Sequence, residues 1–591
     1  MPVAPLILKN LFARWFGSRR RRRNQTGAAA QLLQHGFRRQ SAGDEAGAEA
    51  DYRQALALDP AGADAHFLLG SLLGKQERLD AAERHLQQAL AAQPAFADAR
   101  QALGNVYLLR RDFDAAKACY AAAIALEPAN AMAHSNLGLA CQSFGDHAGA
   151  LAAFTRAFEL APRLPDIVRN LTIERLQHEQ YAQSEAHLRQ LLNERPDDYE
   201  VLLSLGFTLQ KMHRPQDALG YYLRARAQNG GDAELLNNLG IVLQELGRLD
   251  EAIENYSAAI AARPGFELAL WHRALCYLLQ HDFARGWNDY DLRLRSKDRQ
   301  SRTATHPLWR GEDAGALHLL IYGEQGIGDE IMFASCLPQM IAASRHCVVE
   351  CSQKLLPLFR RSFPRAQVLA ASAPADLPVD AQIAMGSLPQ YLRRNIEDFP
   401  RHSGYLFADP ARIAAWRSRL AALGPGPRIG ISWQGGTYKT RAPVRSIPLA
   451  QWAPLLALKG AHFVDLQYTD CSAEIAQVEG ATGVPIHRWR EAREDFEETA
   501  ALVAALDLVV SVCTAVIHLG GALGRPVWVL APHSPEWRYG ARGETMPWYP
   551  SVRVFRQPAH GSWDSLIGDV AQSLHSWRDS VFNSQQPPHG E

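Results

Sequence analysis

Residues 95–128 read AFADARQALGNVYLLRRDFDAAKACYAAAIALEP, and the proline that ends them lies on a beat kept through half the chain. Pro60, Pro94, Pro128, Pro162 and Pro196 stand 34 residues apart, and Pro264 resumes the beat after one miss at Gly230. Other columns share the period: Gly36, Gly70, Gly104, Gly138, Gly206 and Gly240; Ala48, Ala82, Ala116, Ala150, Ala218 and Ala252; Tyr52, Tyr120, Phe154, Tyr222, Tyr256 and Tyr290. A second alanine column runs through Ala55, Ala89, Ala123, Ala157, Ala225 and Ala259. A 34-residue period is one pair of helices, each pair burying its apolar face only against its neighbours. Small residues let the two helices approach, a ring fills the space between them, and proline closes the second helix or starts the next.

These columns closely resemble the tetratricopeptide repeat over residues 29–300, as seven full units and a degenerate eighth. Two units depart. The one at 165–198 has Thr172, Ser184 and Leu191 at small positions, and the one at 267–300 has Ala274 for glycine and Gly286 for alanine. The eighth unit is expected to cap the array against the next domain. The resemblance implies a groove that holds a peptide or protein; dimerisation or a spacer role is the plainer alternative.

Bulk composition excludes some partners. The 591 residues carry 62 Lys plus Arg against 62 Asp plus Glu, so no overall field favours nucleic acid. Eight cysteines are scattered without zinc spacing, which suits packed thiols in a reducing, cytoplasmic setting. No apolar run reaches the ~20 residues that span a bilayer. Near the start, an apolar stretch at 3–16 precedes Arg19, Arg20, Arg21, Arg22 and Arg23, the reverse of a secretory signal. Such a segment fits an anionic membrane surface or a solvated tail.

From residue 317 the period changes. Apolar runs at 317–322, 346–351, 367–371 and 382–385 alternate with helical stretches, one of them at 329–344. The pattern restarts after Pro425-Gly426-Pro427 with runs at 428–433, 461–467, 506–512 and 527–531. Alternating strands and helices predict parallel sheets in two Rossmann-like lobes with a cleft between them. The expected divisions are a basic tail at 1–28, the repeats at 29–300, a first lobe at 301–415, and a second at 416–582. The second lobe should end in a helix near 563–577 that crosses back to the first, leaving a tail at 583–591.

Three motifs fall at strand ends, where ligands sit in such sheets. The first is Gly323-Glu324-Gln325-Gly326-Ile327-Gly328-Asp329. Gly326 and Gly328 permit close approach of a ligand, but the spacing is not the dinucleotide fingerprint. Asp329 is placed as a general base or as a helix cap. The second is Trp433-Gln434-Gly435-Gly436-Thr437-Tyr438-Lys439, followed by Arg441 and Arg445. Backbone N–H groups at the Gly435-Gly436 turn with Lys439 and Arg445 would cradle a diphosphate, and Gln434 is a further substrate-binding candidate; a solvated basic loop is the alternative. The third is Cys513-Thr514-Ala515-Val516-Ile517-His518, opening a helix whose start at Thr514 and Ala515 favours an anion, with Thr514 placed to cap the helix or bind a phosphate. His518 lies one turn on, in the site or simply packed. Asp289-Tyr290-Asp291 is discounted as a metal site, because residues two apart on a helix do not share a face.

Residues 316–560 resemble the heptosyltransferase-like glycosyltransferases of family 9, on Gly326-Ile327-Gly328-Asp329, Arg445-Ser446-Ile447-Pro448, Asp507-Leu508-Val509-Val510-Ser511-Val512, Thr514 with His518, and Pro547-Trp548-Tyr549-Pro550. In layout the chain is similar to protein O-linked N-acetylglucosamine transferases. The resemblance implies a GT-B fold and an inverting, metal-independent transfer from a nucleotide-sugar, with no further cofactor. Asp329 would be the base on the acceptor hydroxyl, Arg445 would stand in for a phosphate-binding lysine, and Thr514 and His518 would flank the diphosphate. Where the family has Asp-Thr this chain has Cys513-Thr514, and a thiol does not accept hydroxyl hydrogen bonds as a carboxylate does. A scaffold with a degenerate transferase domain, or an epimerase of similar lobes, are the rival classes.

Overall fold

The computed structural model describes residues 27–295, 306–371, 378–436 and 442–582, and these divide into two compact units at Gly230/Gly231. The basic N-terminal run, Lys439 and the C-terminal tail lie outside the described residues.

Among the described residues the first unit is built of helices joined by turns. Its pairs begin with Ala28–Ser41 and Glu45–Leu58, continue through Ala97–Leu109 and Phe113–Leu126, and end with Tyr199–Lys211 and Pro215–Gln228. The columns explain the packing. Ala116, Tyr120 and Ala123 have no exposed surface, and a Cβ on Gly104 would lie 2.7 Å from the Tyr120 ring. Glycine is therefore required there by contact. The Tyr120 hydroxyl donates to Asn105 Oδ1 at 2.8 Å, so burying the ring leaves no polar atom stranded. Each beat proline follows its helix end by two residues, as Pro94 follows Leu79–Ala92. The divergent unit keeps the same layout by pairing its hydroxyls: Thr172 donates to Val168 O, and Ser184 meets Thr208 at 3.2 Å.

The second unit opens with three more repeat helices, Ala233–Glu245, Leu249–Ala262 and Glu267–Leu279, and a short Phe283–Gly286 turn. Two sheets follow. The first is four parallel strands, β1 (His318–Tyr322), β2 (His346–Cys351), β3 (Gln367–Ala370) and β4 (Ala381–Ala384), in the order β3-β2-β1-β4. The second is β5 (Arg428–Ser432), β6 (His462–Asp465), β7 (Ile486–His487), β8 (Leu508–Val512), β9 (Val527–Ala531), β10 (Thr545–Met546) and β11 (Tyr549–Arg556). Its order is β10-β11-β9-β8-β5-β6-β7, with only β10 antiparallel. These are the two Rossmann-like sheets read from the sequence. In each, strand order reverses beside the first strand, between β1 and β4 and between β5 and β8, which is where doubly wound sheets open a crevice.

Two local readings are corrected. The expected helix at 329–344 is α1 (Ile327–Phe333), a 3-10 turn at Ala334–Cys336, then Leu337–Ala343, because Pro338 cannot donate to the preceding turn. The last helix, α3 here (Asp564–Phe582), does not bury its apolar face on the first lobe. Leu566, Ile567, Val570 and Leu574 join the core of the second sheet with Trp433 and Trp452, which matches an amphipathic face to the adjoining layer. The lobes are tied instead by α1 against α2 (Ala515–Ala522) and by Tyr405. The Tyr405 hydroxyl donates to Ile331 O at 2.6 Å while its backbone N–H bonds Ala522 O at 2.8 Å.

Candidate functional site

The strand ends at the two switch points face one cavity of about 760 Å³. From the loop after β1 come Gln325, Gly328 and Asp329; after β5, Gly436 and then Arg445; after β8, Cys513, Thr514, Ala515 and His518. The eighth repeat contributes Trp271, Leu275 and Tyr290 to the same wall. The loop after β1 is fixed from below by Arg293, which is buried and donates to Glu324 at 2.8 and 3.0 Å. Asp289 and Asp291 engage different arginines, Arg273 and Arg293, and no group of metal-ligating side chains occurs among the described residues.

Asp329 does not cap α1, whose N-cap Gly326 has no side-chain cap bond. Its carboxylate instead meets Arg538 at 2.6 Å. Arg538 also meets Glu536 at 2.9 Å, the other Glu536 oxygen pairs with Arg445, and Arg445 donates on to Cys513 O. The cavity floor is therefore a row of alternating charge: Asp329, Arg538, Glu536, Arg445. Burial alone would loosen the Arg538 proton, but the Asp329 and Glu536 carboxylates outweigh it and hold the guanidinium charged.

The neighbouring groups are neutral. Burial, then the Arg538 and Arg445 charges, hold the His518 imidazole well below its ordinary range, so it is uncharged at pH 7; its Nδ1 lies 3.2 Å from the Tyr549 hydroxyl. Burial pushes the Cys513 thiol up to about 12, and at 1% exposure it stays protonated. The N-terminus of α2 carries no side-chain cap: Thr514 Oγ1 turns to Ser511 Oγ at 3.0 Å, leaving the N–H groups of Ala515 and Val516 without a capping side chain. Gly328 lets the lobes approach closely, since a Cβ there would lie 3.2 Å from the His518 ring and 3.3 Å from Ala515 Cα, tighter than ordinary contact.

Not every expected residue faces this space. Gln434 turns its amide to Glu474 at 2.8 Å, because the Trp433 indole and the Leu449 backbone N–H converge on the same carboxylate. The Gly435 N–H goes to Ser446 Oγ at 3.1 Å, so this turn is locked by its own chain. Gly326 lies beside Asp329 at the start of α1.

A second cavity, of about 420 Å³, shares Tyr468, Thr514 and Ala515 with the first. Its wall includes Asp465, the last residue of β6, with Trp489, Arg488 and Arg493. Burial pushes the Asp465 carboxyl up to about 6. Sequence reading missed Asp465, Glu536 and Arg538. The available signal was position: Asp465 ends β6, and Glu536 and Arg538 follow the carboxyl end of β9.

Models described as "Tetratricopeptide repeat" match residues 33–165 and 197–298, skipping the divergent unit. Protein FlbA of Caulobacter vibrioides is 34% identical over 331 residues, covering 52% of this chain and 55% of that protein, so the match spans about half the length of that relative. Among solved structures, a tetratricopeptide repeat protein from Parabacteroides merdae aligns at 17% identity and a TM-score of 0.36, over 42% of this chain and 98% of its own. YrrB, described as a TPR protein with an unusual peptide-binding site, aligns at 20% identity and a TM-score of 0.23, over 37% of this chain and 95% of its own. The chain is thus a tetratricopeptide-repeat protein over residues ~30–300, followed by an α/β region, and homologous to FlbA.

Proposed function

We propose that the α/β region is an inverting, metal-independent glycosyltransferase acting on a protein or glycan acceptor presented by the repeats. The observation that carries this is the convergence of Asp329, Arg445 and the uncapped start of α2 on one cavity that adjoins a second. The second cavity suits a nucleoside: the exposed Tyr468 offers a ring face, and Asp465 stands at the end of the second strand of its sheet, where an acid takes ribose hydroxyls in doubly wound folds. The diphosphate then lies at Thr514 and Ala515, where the two cavities meet.

In the reaction, Asp329 takes the proton of the acceptor hydroxyl as that oxygen bonds the anomeric carbon. The bond from that carbon to the diphosphate oxygen breaks, and the electron pair leaves with the diphosphate. Arg445, Lys439 and the N–H groups of Ala515 and Val516 offset the developing charge. Neutral His518 adds a polar contact and no charge. The test is a melting series of the full chain against nucleoside diphosphates and their sugars. A donor that binds the native state raises the midpoint, and donor turnover should follow with the same sugar. No shift and no turnover with any donor would end the reading.

A second reading is a binding scaffold. It is favoured by Cys513, a protonated thiol where the family carries a carboxylate. A donor that raises the melting point but is neither transferred nor hydrolysed would select it.

A further inference from the structure

Glu536 occupies a place that its own chemistry explains poorly. Its two carboxylate oxygens each take a different guanidinium, Arg445 on one side and Arg538 at 2.9 Å on the other. Both arginines are anchored from behind, Arg445 on Cys513 O and Arg538 on Asp329. Their side chains are 12% and 16% exposed, whereas Glu536 is 30% exposed and sits in the loop between β9 and the 3-10 turn Trp537–Tyr539. Even so, the seat is not filled: Arg538 Nε is buried without a hydrogen-bond partner among the described residues. Two fixed cations with a donor to spare form a site for an anion with more oxygens than a carboxylate.

We propose that Arg445 and Arg538 form the seat of the leaving diphosphate and that Glu536 is a built-in placeholder which the diphosphate displaces; this rests on the transferase reading above. The most exposed member is the one that moves, because a carboxylate returning to water regains its hydration while Arg445 keeps Cys513 O behind it. In the empty state Glu536 neutralises two adjacent cations that would otherwise repel each other. In the loaded state a phosphate oxygen reaches the unused Nε–H. Bound diphosphate also draws on Arg538, the partner of Asp329, so the base is released from its ion pair only once a leaving group is present. Water alone in the cavity then meets a base that is still engaged.

The test is calorimetric titration of the full chain with inorganic pyrophosphate, comparing wild type, Glu536→Gln and Glu536→Asp, with a melting scan of each unliganded protein. If Glu536 holds the seat in about nine molecules of ten, it weakens pyrophosphate binding about tenfold, so Glu536→Gln should bind roughly ten times more tightly or better. Glu536→Asp, one methylene too short to span both arginines, should fall between. The gain should persist in about 1 M salt, where a through-space charge effect is screened over about 3 Å. Both unliganded variants should melt at or below wild type, which separates a placeholder from a stabilising substitution. Equal or weaker pyrophosphate binding by Glu536→Gln, with wild type still binding, would make Glu536 a brace and leave the donor site intact. A gain that disappears in high salt would likewise overturn displacement. No binding by any of the three proteins would remove the diphosphate seat and the transferase reading together.

Discussion

Asp329→Asn separates chemistry from architecture at the centre of the site. The amide keeps an oxygen where Arg538 now finds one at 2.6 Å, so the contact persists as a hydrogen bond without charge. With charge centres about 4 Å apart and an effective dielectric of ~20, the ion pair contributes about 4 kcal/mol of Coulomb energy. The retained hydrogen bond returns about 1 kcal/mol. Arg538 also keeps Glu536 at 2.9 Å, and a neutral amide costs less to desolvate than a carboxylate. The net destabilisation should therefore be about 1–2 kcal/mol, well short of the ~3–5 kcal/mol for stranding a buried charge. Catalysis should suffer far more: loss of a general base lowers turnover by roughly 100- to 10,000-fold. The assay is single-turnover transfer alongside donor affinity and a melting scan. Turnover should fall by that factor, donor affinity should hold within a few-fold, and the fold should survive. A variant that binds donor and transfers at the wild-type rate would refute the role of Asp329.

Three further outcomes test other parts of the argument. Gly328→Val places methyl groups against the His518 ring and Ala515 Cα, so it should cost about 1–3 kcal/mol and lower transfer by parting α1 from α2; a wild-type melting point would mean the lobes have slack there. Asp465 is held above its usual value by burial, so its contribution to stability is fully present below about pH 4 and is lost as pH rises through about 6. Asp465→Asn should accordingly stabilise the protein by up to about 2–3 kcal/mol at pH 8 and by almost nothing at pH 4, while weakening donor binding; a pH-independent change in melting point would contradict this. The turn inside each helix pair puts one residue in the left-handed region on the 34-residue beat: Gly43, Glu77, Arg111, Gly145, Glu179, His213, Gly247 and His281. Arg111 holds a φ of 64°, so Arg111→Gly should stabilise the repeats by about 0.5–1 kcal/mol, read as a higher urea midpoint, and a lower midpoint would point to a packing role for the side chain.

The repeat beat was legible in the sequence because its cause is local. Small residues, a ring and a proline recur wherever one helix pair meets the next, and Ala116, Tyr120 and Ala123 are buried as the columns require. Strand positions were legible for the same reason: apolar runs at 346–351 and 527–531 are β2 and β9, residue for residue. The motif loops also fell at strand ends, and Gly328, Asp329, Gly436, Arg445, Thr514, Ala515 and His518 line one cavity. Their partners were not legible. Asp329 meets Arg538 across 209 positions of chain, and Arg445 meets Glu536 from a different strand end. Those encounters depend on strand order within each sheet and on how α1 meets α2, which no local period records. The same holds for Gln434, drawn to Glu474 by a carboxylate that also takes an indole and a backbone amide, and for α3, whose apolar face fits the sheet beside it. Local spacing determined which segments are helix, strand or turn; the stacking of distant segments decided which charges face one another, because an ion pair needs only proximity in space.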